Sequence, residues 1–366
     1  MNLDDINNLR DFKKYIKTIN DIKIINEDKE DFYLLAAREG KLVIMRYLEN
    51  NYGWDTNVVR KDGSNVYLLA AQFGHLNIIK HLEKKKNWNV KKKNKYNISP
   101  YLKAALNGHL NILKHLDKTH NWNLNESDDS EIYLRVASVG KIDIMKYLEK
   151  NTKCNIYIKD RNGADAFLNA VSGGHLNVLK YLKNKHNWNV YVKDGYNSDA
   201  YLYAAEKSRI NIMAYLEDEY NWDINVKDDD GDDAYLIAAY NGQLKVMKYL
   251  EDKHNWDIDI VNTHGFDAYT YASMENHDDI LKHVGYNIHS KVLELFDNTT
   301  HIKFPKGEMC MVCCDDFDTN DLYCKCINDH FIHKECYINY LSLNQMEEYK
   351  CIYCKCIMMK ASYKIK

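Results

Sequence analysis

Apolar residues recur along most of the chain at spacings of three and four residues, in short runs separated by polar turns. In the stretch DAYLIAAYNGQLKVMKYLEDKHNWDI, two such runs lie on either side of Gly242. This spacing places side chains on one face of an α-helix. Each stretch therefore predicts two short helices joined by a turn, in which glycine supplies the left-handed residue after the first helix.

The same stretch repeats along the chain with a nearly constant step. An aromatic residue followed by Leu and Ala marks eight units, most weakly in the last, at Tyr33, Tyr67, Tyr101, Tyr133, Phe167, Tyr201, Tyr235 and Tyr269. The step is 34 residues except between the third and fourth markers, where it is 32. The tryptophans keep this step at Trp54, Trp88, Trp122, Trp188, Trp222 and Trp256. Two short helices cannot bury their own apolar face, so neighbouring units must stack into a solenoid.

Several residues of the repeat are predicted to be structural. Ser208 and Asn276 replace the turn glycine in two units, and we expect more strained turns there. Cys154 takes the place of a seventh tryptophan, which favours a small buried side chain over a nucleophile. The repeat also contains histidines that we expect to pack or to hydrogen-bond within the stack, namely His75, His109 and His175.

The repeated phrase G-H-L-N-[IV]-[ILV]-K-x-L, found at 74–82, 108–116 and 174–182, resembles ankyrin repeats. The resemblance covers roughly residues 30–284. The T-P-L-H phrase of ankyrin repeats is replaced by forms such as DAYL and SPYL, and an N-W-[DN] turn makes each unit one residue longer. The resemblance implies a mostly α protein, with a solenoid of about eight helix-turn-helix repeats that binds a substrate protein.

Charge gives little indication of a nucleic acid or membrane partner. Lys and Arg number 50 against 53 Asp and Glu, so the formal charge is only −3. No apolar run is long enough to span a membrane, and the N-terminus lacks the apolar core of a secretory signal. We therefore expect a protein of the cytoplasm or the nucleus, with no membrane or nucleic acid partner.

The connecting hairpins differ in charge from one unit to the next. Lysines dominate one hairpin and aspartates two later ones, at Lys91, Lys92, Lys93 and Lys95, then Asp128 and Asp129, then Asp228, Asp229, Asp230, Asp232 and Asp233. These are either solvated loop tips or a charge-patterned edge that selects a protein partner.

Nine of the ten cysteines lie between Cys310 and Cys356. Seven of them and one histidine form four pairs, Cys310/Cys313, Cys324/Cys326, His333/Cys336 and Cys351/Cys354. Tetrahedral structural zinc takes four thiolate or imidazole ligands, so eight ligands predict two zinc ions as cofactors. Disulfides would leave the histidine unexplained and would not suit a reducing compartment.

The order of these pairs resembles the RING superfamily. In that family's cross-brace, Cys310, Cys313, His333 and Cys336 would bind one ion. Cys351 and Cys354 would bind the other, together with either Cys324 and Cys326, as in the RING-CH variant, or Cys326 and His330, as in the variant with two histidines. The CKC sequence and the lack of proline in CIYC favour the RING-CH pattern and thus Cys324.

The RING resemblance implies a ubiquitin ligase without a covalent catalytic residue. Val312 and Tyr340 occupy positions that receive a ubiquitin-conjugating enzyme in RING domains, and Lys355 matches a basic position that contacts both the enzyme and ubiquitin. The alternative is a non-enzymatic ankyrin adaptor with a degenerate RING or a PHD-like finger, in which Tyr349 would be the aromatic residue before the seventh ligand.

These observations divide the chain into five parts. We predict an N-terminal helical cap at 1–29, the repeat array at 30–284, a connector at 285–308, the RING-type zinc finger at 309–357 and a tail at 358–366. The repeats are rich in Asn, Lys, Tyr and Ile, and in this they resemble the expanded ankyrin families of large DNA viruses. That resemblance would place the protein in a host cell.

Overall fold

The computed structural model describes residues 8–18, 26–85, 88–122, 124 and 131–284, together with the backbone of strands at 323–325 and 331–333. The chain forms two compact units, Met1–Asn221 and Trp222–Lys366. Within the described residues both units consist mainly of paired helices, as the sequence predicts. None of the described helices has the length and apolar character needed to cross a membrane.

The first unit contains thirteen described helices. They are α1 (Leu9–Ile16), α2 (Phe32–Arg38), α3 (Leu42–Tyr52), α4 (Val66–Phe73), α5 (Leu76–Glu83), α6 (Pro100–Leu106), α7 (Leu110–His120), α8 (Ile132–Ser138), α9 (Ile142–Asn151), α10 (Ala166–Gly173), α11 (Leu176–His186), α12 (Ala200–Glu206) and α13 (Ile210–Tyr220). From α2 onward the helices form six pairs. The first helix of each pair packs against the first helix of the next and against its own partner.

The second unit continues the same pairing. It contains α14 (Ala234–Tyr240), α15 (Leu244–His254), α16 (Ala268–Met274) and helical residues 278–284. Farther along the chain, β1 (Tyr323–Lys325) and β2 (Phe331–His333) form a short antiparallel ribbon.

The core is built from the aromatic marker and the Leu and Ala residues that follow it. Tyr33, for example, has no exposed surface, and neither do Leu34, Ala36 and Ala37. Small alanine side chains let neighbouring first helices approach closely, while the tyrosine ring fills the space between the two helices of a pair. Helix α1 lies at the start of the stack, where the Phe12 ring meets the Phe32 ring at 5.6 Å between centroids.

The first helices begin at side-chain caps. Asp31 accepts hydrogen bonds from the backbone N–H groups of Tyr33 and Leu34, which have no partner within the helix. Equivalent caps start six further helices, at Asn65, Ser99, Asp165, Asp199, Asp233 and Asp267.

The turns between paired helices pass through a left-handed residue, as predicted. Gly140 has φ of 72°, and a Cβ built there would lie 2.5 Å from the His175 ring of the following unit. Glycine is therefore required here for two reasons: the backbone is left-handed, and the His175 ring leaves no room for a side chain. Ser208 and Asn276 hold the same conformation at φ of 55° and 60°, so these turns are left-handed without glycine.

Candidate functional site

Most of the predicted zinc ligands lie outside the described residues. They are Cys310, Cys313, Cys326, His330, Cys336, Cys351 and Cys354. The predicted docking residues Val312, Tyr340 and Lys355 lie outside them too, as do Asp128 and Asp129. For Cys324 and His333, the structure describes the backbone in β1 and β2.

The β1–β2 ribbon brings these two predicted ligands close together along the backbone. Tyr323 pairs with His333, and Cys324 pairs with Ile332. Cys324 and His333 are therefore diagonal neighbours, one residue apart in register. Cys326 and His330, the two other candidate ligands in this part of the sequence, come between the two strands along the chain and lie outside the described residues.

Within the described repeats, the most regular polar arrangement is a row of carboxylates that each bind a buried tyrosine. The marker tyrosine donates to a Glu or Asp sixteen residues later, at the end of the second helix. Distances for five pairs are 2.6 Å for Tyr67–Glu83, 3.0 Å for Tyr101–Asp117, 2.6 Å for Tyr133–Glu149, 2.8 Å for Tyr201–Glu217 and 2.7 Å for Tyr235–Glu251. Tyr33 makes the same bond to Glu49.

The carboxylates from Glu49 to Glu149 are each contacted by side chains of the next repeat as well. His115 Nε2 lies 2.7 Å and His120 Nε2 2.9 Å from the Glu83 carboxylate oxygens. Glu49 instead meets His81 and Lys85, at 3.0 and 2.6 Å. The carboxylates therefore bind consecutive repeats to each other, and we name the row from Glu49 to Glu149 the carboxylate ladder.

Asp117 differs from the other members of the ladder because both of the partners shown for it are tyrosines, whereas the others also contact a His or a Lys. It accepts from Tyr101 at 3.0 Å and from Tyr147 at 2.6 Å. Burial raises the pKa of Asp117, and these two hydrogen bonds offset only part of that effect. For Glu83, burial also disfavours the charged form, but hydrogen bonds from Tyr67, His115 and His120 outweigh it and lower the pKa.

Tryptophans of the repeat bind the aspartates that cap the first helices. Trp188 Nε1 donates to Asp165 Oδ2 at 2.7 Å, and Trp54 Nε1 donates to Asp31 Oδ2 at 2.8 Å. One carboxylate thus caps a helix and anchors the N-W turn that follows twenty-three residues later. Cys154 is half-buried, and burial raises the pKa of its thiol, which does not favour a nucleophile.

The repeat histidines have the structural role expected of them. His75 Nε2 lies 2.8 Å from the carbonyl oxygen of Arg38, and His109 Nε2 lies 2.8 Å from that of Gln72. Each ring therefore hydrogen-bonds to the end of the preceding repeat's first helix. Among the described residues, no group of three or more His, Cys, Asp or Glu side chains is arranged to hold a metal ion.

Two side chains of the lysine-rich hairpin, Lys91 and Lys95, make contacts within the fold. Lys95 Nζ donates to the Lys61 carbonyl oxygen at 2.8 Å, and Lys91 Nζ lies 5.7 Å from the centre of the Trp122 ring. Beside them Tyr96 is 72% exposed.

The aspartate-rich hairpin is partly structural as well. Asp228 Oδ1 accepts from the backbone N–H groups of Asp230 and Asp232, and Asp233 caps α14. Within the described part of the chain, the side chains of Asp229 and Asp230 are exposed and form no hydrogen bond or ion pair.

Sequence reasoning missed the carboxylate ladder. Its signal is nevertheless visible, because Glu49, Glu83, Asp117 and Glu149 follow the same step as the marker tyrosines. The ladder lies inside the stack, so it stabilises the repeats and leaves the outer surfaces available for a partner.

Comparisons with known proteins agree with the repeat architecture. A family model of ankyrin repeats matches the chain in three copies, over residues 33–128, 133–228 and 203–291. A comparison with curated proteins gives no match. Ankyrin repeats are protein–protein interaction modules, and the matched segments cover more than half of the sequence. The chain therefore belongs to the ankyrin-repeat family.

Proposed function

We propose that the protein is a RING-type ubiquitin ligase, in which the ankyrin repeats bind a substrate protein and the C-terminal segment positions a ubiquitin-charged conjugating enzyme. The observation that carries this proposal is the series of four ligand pairs between Cys310 and Cys354. Thiolates and imidazoles are the donors that tetrahedral structural zinc takes, and eight of them provide for two ions.

Cys324 of the second ligand pair lies in β1, and His333 of the third pair lies in β2. The ribbon therefore lies between the two pairs, which bind different ions in the arrangement that we propose. In the proposed arrangement His333 joins Cys310, Cys313 and Cys336 at one ion. The other ion is held by four ligands, Cys324, Cys326, Cys351 and Cys354, with His330 as the alternative to Cys324. Bound zinc would stabilise the fold of this segment.

The proposed activity needs no covalent intermediate on this chain. Val312 and Tyr340 would receive the conjugating enzyme, and Lys355 would contact both the enzyme and ubiquitin. Holding the charged enzyme in a reactive orientation accelerates transfer by positioning alone. The thiolate ligands require a reducing compartment, which we propose to be the cytoplasm or the nucleus.

An autoubiquitination assay tests the activity. The zinc-loaded full chain is incubated with ubiquitin, activating enzyme and a panel of conjugating enzymes. We expect ubiquitin chains with at least one of these enzymes and none with the Cys351→Ser variant. If no enzyme supports transfer and the protein instead binds a histone peptide, the non-enzymatic adaptor with a PHD-like finger replaces the ligase.

Two single substitutions distinguish the coordination schemes. His330→Ala and Cys324→Ser are made separately, and zinc is measured in each purified protein. The true ligand is the residue whose replacement releases one zinc ion, because an ion that loses a ligand is bound far less tightly. If both variants keep two ions, our second site is misassigned, and Cys314 or Cys356 becomes the next candidate.

A further inference from the structure

Negative charge is concentrated in the repeats of the second unit. Residues 222–284 contain 14 Asp and Glu and 5 Lys, with no Arg, which gives a formal charge of −9. The whole chain has a charge of only −3, so the remaining residues are basic on balance. A local excess of this size attracts cations and basic segments.

Large apolar side chains are exposed in the same unit. Tyr240 ends α14 and is 46% exposed, and Met274 ends α16 and is 57% exposed. Five residues after the marker, the equivalent positions of the first unit are Arg38, Gln72, Leu106, Ser138, Ser172 and Glu206, of which Leu106 is apolar and half-buried. Phe73, which ends α4, is 41% exposed. Exposed Tyr and Met side chains are typical of binding surfaces, where Met adapts its shape to a partner.

Tyr271 joins this apolar pair to the acidic hairpin. Its ring lies 5.3 Å from the Tyr240 ring, in an edge-to-face arrangement. Its hydroxyl donates to Asp232 Oδ2 at 2.6 Å. Tyr271 is itself only 9% exposed, so it connects the exposed Tyr240 to the acidic hairpin from inside the fold. We name the exposed side chains Tyr240, Met274, Asp229 and Asp230 the acidic–aromatic surface.

The exposed acidic side chains of this surface have no ion-pair partner among the described residues, although the charge of Lys227 opposes the rise that burial causes in the pKa of Asp233. Among the described residues, no Lys or Arg forms an ion pair with Asp228, Asp229, Asp230 or Asp232. Asp232 is only 9% exposed, yet its Oδ1 has no hydrogen-bond partner in the described part of the chain. This oxygen has almost no accessible surface, so the contact with a partner falls to the exposed carboxylates of Asp229 and Asp230.

We propose that the acidic–aromatic surface binds a basic protein segment that also carries a large apolar side chain. Lysine or arginine would face Asp229 and Asp230, and could also lie over the Tyr240 ring as a cation–π contact. The apolar side chain would pack between Tyr240 and Met274. This inference names the partner chemistry of the proposed ligase, but it concerns binding alone and can fail or hold independently of ubiquitin transfer.

Fluorescence anisotropy with two labelled peptides tests the proposal on the full chain. One peptide alternates Lys–Arg pairs with single Leu and Phe residues, and its twin has Glu in place of every Lys and Arg. We expect the basic peptide to bind and the acidic twin not to bind. Equal binding of both peptides, or binding of neither, would overturn the proposal.

Variants locate the binding surface. Tyr240→Ser is expected to weaken binding about tenfold, as removal of an interface aromatic commonly does. Asp229→Asn combined with Asp230→Asn should weaken binding and reduce its dependence on salt. Asp252→Asn is the matched control, because Asp252 is exposed on α15 and lies outside the surface. Circular dichroism verifies that each variant remains folded.

Two outcomes contradict the assignment. If Tyr240→Ser binds the basic peptide as tightly as the unmodified chain, the site lies elsewhere. If sedimentation shows that the chain self-associates and that Tyr240→Ser abolishes this association, the occupant is a second copy of the chain and not a basic partner.

Discussion

At the scale of single residues, equivalent tryptophans have different partners. Trp188 donates to Asp165, whereas Trp88 Nε1 is buried and has no hydrogen-bond partner among the described residues. The capping residue twenty-three positions before Trp88 is Asn65, whose amide oxygen accepts from Leu68 N–H. An aspartate at the cap does not by itself secure this bond: among the described residues, Trp256 Nε1 is likewise buried without a partner, although the residue twenty-three positions before it is Asp233.

This difference predicts unequal effects of the same substitution. Trp188→Phe removes a hydrogen bond and leaves Asp165 Oδ2 without its donor, so we expect it to lower the free energy of unfolding by about 1–3 kcal/mol more than Trp88→Phe. Urea unfolding followed by circular dichroism measures both. Equal losses would mean that the indole N–H contributes nothing beyond ring packing.

The carboxylate ladder predicts opposite pH effects at two neighbouring interfaces. The folded-state pKa of Glu83 is lowered, so its contribution to stability is present above the unfolded-state pKa and is lost as pH falls through the folded-state value. The folded-state pKa of Asp117 is raised, so its contribution is present at low pH and is lost as pH rises through the folded-state value.

Glu83→Gln and Asp117→Asn test these signs. Unfolding free energies are measured for both variants and the unmodified chain between neutral pH and about pH 4, near the ordinary carboxyl pKa. As pH falls, the stability difference between the unmodified chain and Glu83→Gln should shrink. Relative to Asp117→Asn, the unmodified chain should become more stable as pH falls. If both stability differences change in the same direction as pH falls, the opposite pKa shifts assigned to Glu83 and Asp117 are contradicted.

Residue-level roles were only partly predictable from the sequence. The structural role of His75 followed from its place in the repeated phrase. The bond between Trp188 and Asp165 did not, because it joins residues from the start and the end of a unit and depends on how the turn folds back. The ladder depends on contacts between units, which the pattern within one unit does not contain.

At the scale of elements, the turn glycines provide a matched pair. Gly140 and Gly174 both have positive φ, at 72° and 84°. A Cβ at Gly140 would lie 2.5 Å from the His175 ring, whereas a Cβ at Gly174 would first meet the flexible Arg209 side chain at 3.0 Å. Both turns therefore need a residue that tolerates positive φ, but the side chain that packs against the glycine is His175 in one and Arg209 in the other.

We expect Gly140→Ala to be the more destabilising change. Both substitutions place alanine in the left-handed region, which costs about 1–2 kcal/mol. Gly140→Ala must also displace an imidazole ring that would lie at 2.5 Å. In Gly174→Ala the nearest Arg209 atom would lie at 3.0 Å, so a smaller movement suffices, although Arg209 Nε donates to the Ser172 carbonyl oxygen. Thermal unfolding by circular dichroism compares them. A larger loss for Gly174→Ala would show that the neighbour does not decide the cost.

The helical pairs themselves were predictable, because the apolar spacing and the turn glycines indicate the same two helices in each unit. Ser208 shows the limit of that reasoning. The step of the repeat placed it in the glycine position, and its φ of 55° shows that the stack imposes the turn even on a residue that disfavours it. Composition alone would not have predicted a left-handed serine.

At the scale of the whole molecule, we expect that removing zinc does not unfold the helical repeats. Elemental analysis of carefully reduced protein should give close to two zinc ions per chain. Structural zinc contributes on the order of 10 kcal/mol to such small folds, so chelation should unfold the cysteine-rich segment. The helical signal of residues 30–284 should stay largely intact. A zinc content near zero would exclude the predicted metal sites.

The measurement that tests the central claim most directly is single-turnover discharge of ubiquitin from a charged conjugating enzyme onto free lysine. The zinc-loaded full chain should accelerate discharge. Val312→Ala and Lys355→Ala should each retain two zinc ions and slow discharge, because they change only the docking surface. No acceleration by the unmodified, zinc-loaded chain across the panel of conjugating enzymes would contradict the ligase function.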